Sequence, residues 1–386
     1  MSQRILHVGL LALGAATAAC SSSSSTDSLV DCSQSANSAD PKCNDDQAGT
    51  VGKGPKFEGG LTTQVNHGFI TGNQLVVAVE FGGEDDEYGG VFGIDLTTGD
   101  RTLLAGKYMD PVMGEVSKGT PAPGMSLNEV RDVALGPNNT WYALVNQSLL
   151  SNRTIFSIDP ATGNQKVVYD QFNAPCMGLS NGAQVALDPD SGFTVGPDGS
   201  LYVALNNNPE SSGKGIAKLT ANGACSIVTL SAAATASDDK GTGPEVTGSL
   251  LYNVTYNNNA IDVLQFNTHS SVISIDPATG NRTMVSLAPD KGTGPELLGG
   301  SMAIAKDGTI WTYDGYDGTS EFVFVSANPS TGNRTGVKVT AGPAAREQGT
   351  DKGIWAHPDG THILVQYANA ILIVDPATGN SNTLSY

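Results

Sequence analysis

Ile275-Asp276-Pro277-Ala278-Thr279-Gly280-Asn281 decides the fold, because the chain repeats it. Close copies are Ile158-Asp159-Pro160-Ala161-Thr162-Gly163-Asn164 and Val374-Asp375-Pro376-Ala377-Thr378-Gly379-Asn380. Looser copies are Ile94-Asp95-Leu96-Thr97-Thr98-Gly99-Asp100, Ala327-Asn328-Pro329-Ser330-Thr331-Gly332-Asn333 and the shortened Leu219-Thr220-Ala221-Asn222-Gly223-Ala224-Cys225. Each is turn chemistry. Asp or Asn can bond the backbone ahead of it, Pro presets φ, and Gly takes the positive φ that ends the turn. β-prone residues flank the copies, as in Ile155-Phe156-Ser157-Ile158 before and Val167-Val168-Tyr169 after. Each copy is therefore the hairpin between two strands.

A second motif, strand–turn–strand, precedes each hairpin. Phe193-Thr194-Val195-Gly196-Pro197-Asp198-Gly199-Ser200-Leu201-Tyr202-Val203-Ala204 is its clearest form, with relatives beginning at Val65, Val130, Leu250, Ser301 and Gly353. The two motifs together give four strands per unit. The anchors 95, 159, 220, 276, 328 and 375 are separated by intervals that shrink from 64 to 47 residues. A propeller blade needs about 40–45 residues, so the excess sits in loops. The pattern predicts an all-β, six-bladed β-propeller of four-stranded antiparallel blades. No spare strand is expected to bridge the first and last blades, so closure is expected mainly by side-chain packing between them. Both repeated turns fall on one face. The long connections, 82–90, 106–127, 171–190, 231–249, 289–300, 314–321 and 341–352, fall on the other, where function is expected.

Composition agrees: 47 Gly and only 15 % charged residues suit short strands and tight turns. The net charge of −18 argues against a nucleic-acid partner, which needs clustered Lys and Arg. The first 19 residues read as a signal peptide, with Arg4 before a short apolar run ending Thr17-Ala18-Ala19-Cys20. This ending resembles a lipobox, making Cys20 the lipid-bearing residue of an outer-membrane lipoprotein in the cell envelope. Ordinary signal-peptidase cleavage after Ala18 is the alternative. Residues 20–50, rich in Ser, Asp and Asn, are expected to be a disordered tether, with the propeller spanning 51–386. Setting Cys20 aside leaves Cys32, Cys43, Cys176 and Cys225, an even set for disulfides in an oxidising compartment.

Several groups are candidates for chemistry. Glu129, Arg131 and Asp132 open an inner strand, and Asn66, His67 and Asn253 hold comparable places in other units. They form a candidate channel ligand site, with a salt-bridged lining as the plainer alternative. Glu84, Asp85, Asp86 and Glu87, and separately Asp314, Asp317 and Glu321, are acidic loop clusters able to offer Ca²⁺ oxygens, or simply solvated turns. The repeated Asp239-Lys240-Gly241-Thr242-Gly243-Pro244-Glu245 and Asp290-Lys291-Gly292-Thr293-Gly294-Pro295-Glu296 lack the features of a phosphate loop and read as structural. His67, His269, His357 and His362 show no metal-binding spacing of the His-x-x-x-His kind, and no nucleophile elbow is present.

The combination of Pro197-Asp198-Gly199-Ser200-Leu201-Tyr202-Val203-Ala204 with the Ile-Asp-Pro-Ala-Thr-Gly-Asn hairpins resembles the propellers of the SMP-30/gluconolactonase, streptogramin-lyase and NHL-type superfamilies. The resemblance implies a divalent metal in the channel, with Glu129 the nearest counterpart of its glutamate ligand. It also implies a channel histidine in the lyase group, with His67 nearest. Two functions are thus expected in competition. One is a membrane-anchored module binding a protein, peptide or glycan on the long-loop face. The other is a Ca²⁺-dependent lactonase, hydrolase or lyase at the channel mouth.

Overall fold

The computed structural model describes residues 52–55, 64–81, 88–110, 113–123, 125–147, 152–171, 176–177, 184–187, 192–206, 214–220, 222–231, 240–246, 250–266, 269–313, 324–338, 353–367 and 370–385. They form six antiparallel sheets. Blade 1 holds β1 (Gln64–Thr71), β2 (Gln74–Phe81), β3 (Tyr88–Asp95), β4 (Arg101–Asp110) and β5 (Gly114–Lys118). Blade 2 holds β6 (Val130–Leu135), β7 (Trp141–Gln147), β8 (Asn152–Ile158) and β9 (Gln165–Asp170). Blade 3 holds β10 (Cys176–Met177), β11 (Gln184–Leu187), β12 (Phe193–Val195), β13 (Leu201–Asn206), β14 (Lys214–Leu219) and β15 (Cys225–Ser231). Blade 4 is β16 (Leu250–Asn257), β17 (Ala260–Phe266), β18 (Ser270–Ile275) and β19 (Arg282–Leu287). Blade 5 is β20 (Ser301–Ile304), β21 (Ile310–Tyr313), β22 (Phe324–Ala327) and β23 (Arg334–Val337). Blade 6 is β24 (Ile354–Ala356), β25 (Ile363–Tyr367), β26 (Ala370–Asp375) and β27 (Asn380–Ser385).

Both sides of each blade are apolar, because period-2 alternation feeds two neighbours at once. In β2, Leu75, Val77 and Val79 pack toward blade 6, while Val76 and Ala78 pack toward blade 2. In β13, Leu201, Val203 and Leu205 face blade 2, and Tyr202 and Ala204 face blade 4. The core is accordingly six clusters, one at each blade boundary. The boundary between last and first blades is filled like the rest: Trp355, Leu364, Ile371 and Leu384 pack on Leu75, Phe92, Ile94 and Leu103. Among the described residues no strand is shared between the two sheets. The ring closes by packing, with each fully buried aliphatic or aromatic side chain contributing about 1.5–3 kcal/mol.

The repeated hairpins cap their own backbone. Asp276 Oδ1 accepts from Ala278 N–H at 2.8 Å, its Oδ2 from the Thr279 hydroxyl at 2.9 Å, and Gly280 N–H closes on Asp276 O at 2.8 Å. The N–H of Ala278 and the hydroxyl of Thr279 hold the Asp276 carboxyl below its ordinary pKa. The two kinds of turn touch: Leu96 N–H donates to Asn73 O, and the Asn73 amide donates to Thr97. They share a face, as the sequence predicts.

The Lys-Gly-Thr-Gly-Pro repeats are latches. Each lies against the outer strand of its own blade, just past the hairpin turn. Thr242 N–H donates to Asn281 Oδ1, and Thr293 N–H to Asn333 Oδ1, both at 3.0 Å. Arg282 donates to the carbonyls of Pro244 (2.7 Å) and Lys240 (2.8 Å) and to the Thr229 hydroxyl of blade 3 (2.6 Å). Arg334 makes the corresponding set with Pro295, Lys291 and Ser286. Gly241, at φ +79°, sits where a Cβ would lie 1.9 Å from Gly280 O, so only glycine fits. The same device serves ring closure: Lys53 N–H binds Asp100, and Arg101 donates to Ser385 of the last strand.

Two blades exceed four strands. The span 106–127, expected to be a connection, carries the end of β4 and the added edge strand β5. Alternation in Gly114-Glu115-Val116-Ser117-Lys118 explains this, since it supports a half-exposed strand. In blade 3 the inner strand comes in two pieces, β11 and β12, both paired to β13, and β10 pairs with β11.

Candidate functional site

The first strand of each blade lines a central channel. Three of these strands are bulged at one level: β1 between Val65 and Gly68, β6 between Val130 and Asp132, and β16 between Leu251 and Asn253. In blade 3 the described pieces at this level are β11, which pairs up to Leu187, and β12, which pairs from Phe193. Bulges re-aim side chains, and here they bring His67, Asp132 and Asn253 to the channel wall.

Asn253 Nδ2 donates to His67 Nδ1 at 2.8 Å, and the Thr255 hydroxyl holds Asn253 Oδ1 at 2.9 Å. With Nδ1 accepting, the neutral His67 carries its proton on Nε2. Blades 1 and 4 thus meet across the axis. Asp132 Oδ2 accepts from Phe193 N–H at 2.8 Å, tying blade 2 to blade 3. Burial pushes the Asp132 carboxyl up to about 8, against the opposing effect of the Phe193 and Val133 N–H groups. Gly192 lets these groups approach: a Cβ there would stand 2.7 Å from Asp132 Oδ2 and 4.0 Å from His67 Nδ1.

From this level the walls run toward the hairpin face through Phe69, Ile70, Val133, Leu135 and Met302, with the polar Thr194, Thr255 and Ser301 among them. They enclose about 350 Å³. Glu129 and Arg131 do not line that space. Arg131 bridges Glu80 of blade 1 at 2.9 Å and Glu129 at 3.6 Å, so this part of the predicted group is an inter-blade ion cluster. Of the predicted channel residues, then, the structure brings His67, Asp132 and Asn253 together and sets Glu129 and Arg131 apart. Thr194, whose hydroxyl accepts from Tyr256 N–H, and Thr255 belong to the wall, and Gly192 sits beside Asp132; sequence alone does not single these out. Their only sequence signal is their place beside the start of an inner strand.

The channel residues fit a lactonase-type metal centre poorly. Glu129 is occupied by a guanidinium, whose charge opposes a divalent cation. Among the described residues, the imidazole, amide and carboxyl donors lining the channel are His67, Asn253 and Asp132, whose anion burial disfavours. Among the described residues, the group of three His, Cys or acidic side chains close enough to share a metal lies in the blade 6 hairpin, not the channel. The acidic candidates Glu84, Asp85, Asp86, Glu87, Asp314, Asp317 and Glu321 lie outside the described residues, as do Cys20, Cys32, Cys43 and the side chain of Asn66.

Cys176 and Cys225 form a disulfide, with Cα atoms 5.2 Å apart. Cys225 follows its hairpin turn at the position Arg282 and Arg334 hold in blades 4 and 5. Blade 3 therefore fastens the preceding connection covalently where those blades use a guanidinium.

No family model matches the chain, and no curated protein does. Solved structures with a similar path include a protein of unknown function from Bacteroides thetaiotaomicron (13 % identity, TM-score 0.47, covering 83 % of this chain and 70 % of that one). A gluconolactonase from Xanthomonas campestris is similar at 11 % identity and TM-score 0.47, over 83 % of this chain and 86 % of that one. A puromycin-hydrolysing peptidase from Mycobacterium tuberculosis is similar at 14 % identity and TM-score 0.46, over 83 % of this chain and 52 % of that one. What the chain's own six sheets and six inter-blade clusters establish is a six-bladed β-propeller.

Proposed function

We propose that this chain is an envelope-anchored binding propeller whose long-connection face engages a protein, peptide or glycan. One observation carries the proposal: polar groups at the start of the inner strands are engaged with one another. His67 binds Asn253, Asp132 binds Phe193 N–H, and Arg131 bridges Glu80 and Glu129. That arrangement braces the ring and leaves the variable connections, carried on a rigid scaffold, to meet a partner. Anchoring through a lipidated Cys20 fits the leader-like N-terminus, and the acidic charge favours basic partners.

The test uses the detergent-solubilised full chain on glycan and peptide panels, beside lactone and ester hydrolysis assays with Ca²⁺ or chelator. Saturable binding that persists in chelator, without turnover, is expected. Ca²⁺-dependent turnover abolished by Glu129→Ala would overturn the proposal in favour of the enzymatic alternative.

The channel space favours a second reading. A cavity of about 350 Å³ with Asp132, His67 and Asn253 at its polar end suits a small polar molecule. Binding of such a molecule should be weakened by Asn253→Ala and leave partner binding on the opposite face unchanged.

A further inference from the structure

The turn between the first two strands is built alike in blades 3, 5 and 6, with one departure. In blade 3 Gly196 N–H bonds Ser200 O, and in blade 5 Ala305 N–H bonds Thr309 O. Each turn holds an Asp whose Oδ1 accepts a backbone N–H. The second oxygen is satisfied locally: Asp198 Oδ2 by Ser200 and Lys218, Asp307 Oδ2 by the Thr309 hydroxyl. Blade 6 inserts one residue, and its closing pair is two histidines, with His357 N–H bonded to His362 O at 3.0 Å. Thr361 and His362 N–H hold Asp359 Oδ1 at 2.8 and 3.0 Å, which aims Oδ2 at both imidazoles. His357 Nδ1 lies 2.9 Å and His362 Nδ1 2.5 Å from that oxygen.

We propose that this hairpin binds one late first-row divalent cation, such as Zn²⁺, through His357, Asp359 and His362. Two imidazole nitrogens and a carboxylate oxygen suit that class and not Ca²⁺ or Mg²⁺, which take oxygen alone. Zn–N and Zn–O lengths near 2.0–2.1 Å require ligand atoms about 3.3 Å apart in a tetrahedron; the two Asp359–imidazole spacings widen slightly to reach it, and the three ligand atoms already lie within 4.8 Å of one another. Backbone pairing holds both histidines on one hairpin, so little ordering remains at binding. His357 and His362 also line a cavity of about 70 Å³ with Asp307 and Trp311, from which a fourth ligand would come. That is room for water, whose share of liquid volume is about 30 Å³. The sequence spacing His-x-Asp-x-x-His hides the site, because it matches a hairpin turn and not a helical pattern.

The test is Zn²⁺ titration of the untagged full chain after chelator dialysis, with bound metal counted. One Zn²⁺ per chain is expected, undisturbed by excess Ca²⁺. His357→Gln and His362→Gln should each weaken it at least about tenfold, and His269→Gln, on a different connection, should not. No uptake, or uptake equal in the two hairpin variants, would overturn the proposal. If a variant fails to fold, the unsubstituted chain decides: the imidazole ¹⁵N signals of His357 and His362 must shift with Zn²⁺, and unmoved signals contradict the site. This site lies on the hairpin face, so its failure leaves the binding proposal untouched.

Discussion

His67 and Asn253 stand 186 residues apart in sequence and meet at 2.8 Å across the channel, the first blade touching the fourth. In a six-fold ring these blades are opposite, so the hydrogen bond spans the axis and both residues report on how the whole ring is assembled.

The arginine latches should dominate the stability of the blade boundaries they span. Arg282→Ala takes the guanidinium donor from the Pro244 carbonyl and the Thr229 hydroxyl, while Lys240 O keeps the Leu230 N–H and the Thr229 hydroxyl. Equilibrium urea unfolding should show a loss on the order of 2–4 kcal/mol. Arg282→Lys should recover less than half, since an ammonium cannot present the same fork of donors.

The disulfide should do comparable work by another route. Cys176 and Cys225 close a separation of 49 residues, and Cys225→Ser should cost about 2–4 kcal/mol in the oxidised protein. Under full reduction the parent and the variant should unfold at nearly the same urea concentration. A difference that persists in reductant would count against the latch.

Asp132 should impose a pH dependence. Its folded pKa, about 8, lies above the unfolded carboxylate value, so the folded state binds the extra proton between the two. Stability is fully present below the unfolded pKa and falls as pH rises toward 8. Asp132→Asn keeps an acceptor for Phe193 N–H without the charge. It should be more stable than the parent at pH 8 by on the order of 1–3 kcal/mol, and similar at pH 4.5. Urea midpoints at the two pH values check this; a parallel shift at both would contradict it.

What could be read from sequence was local. Asp276, Pro277 and Gly280 write a turn in adjacent letters, and Leu75 to Val79 announce a strand buried on both sides, so blade number and closure by packing were legible. The latch repeats were recognisable as structural, but their target, Arg282, lies some 40 residues downstream. Nothing in the order of residues pairs Cys225 with Arg282 except alignment of the blades. At the channel, His67, Asp132 and Asn253 could be shortlisted by their place near strand starts, whereas Glu129 and Arg131 share that place and turn away. The bulge after Val130 decides which side chain faces inward, and a one-residue shift in a strand flips every side chain. Nothing in the spacing of His357 and His362 marks a site, because the residue inserted in that turn brings them together.

The closed six-fold ring is tested most directly by a double-mutant cycle on His67→Ala and Asn253→Ala, read by equilibrium unfolding in urea. Each single change should cost about 1–2 kcal/mol. The pair should cost less than the sum by about 1 kcal/mol, the coupling expected of side chains in contact. Additivity within about 0.3 kcal/mol would mean that the first and fourth blades do not face each other across a channel, and would contradict the ring.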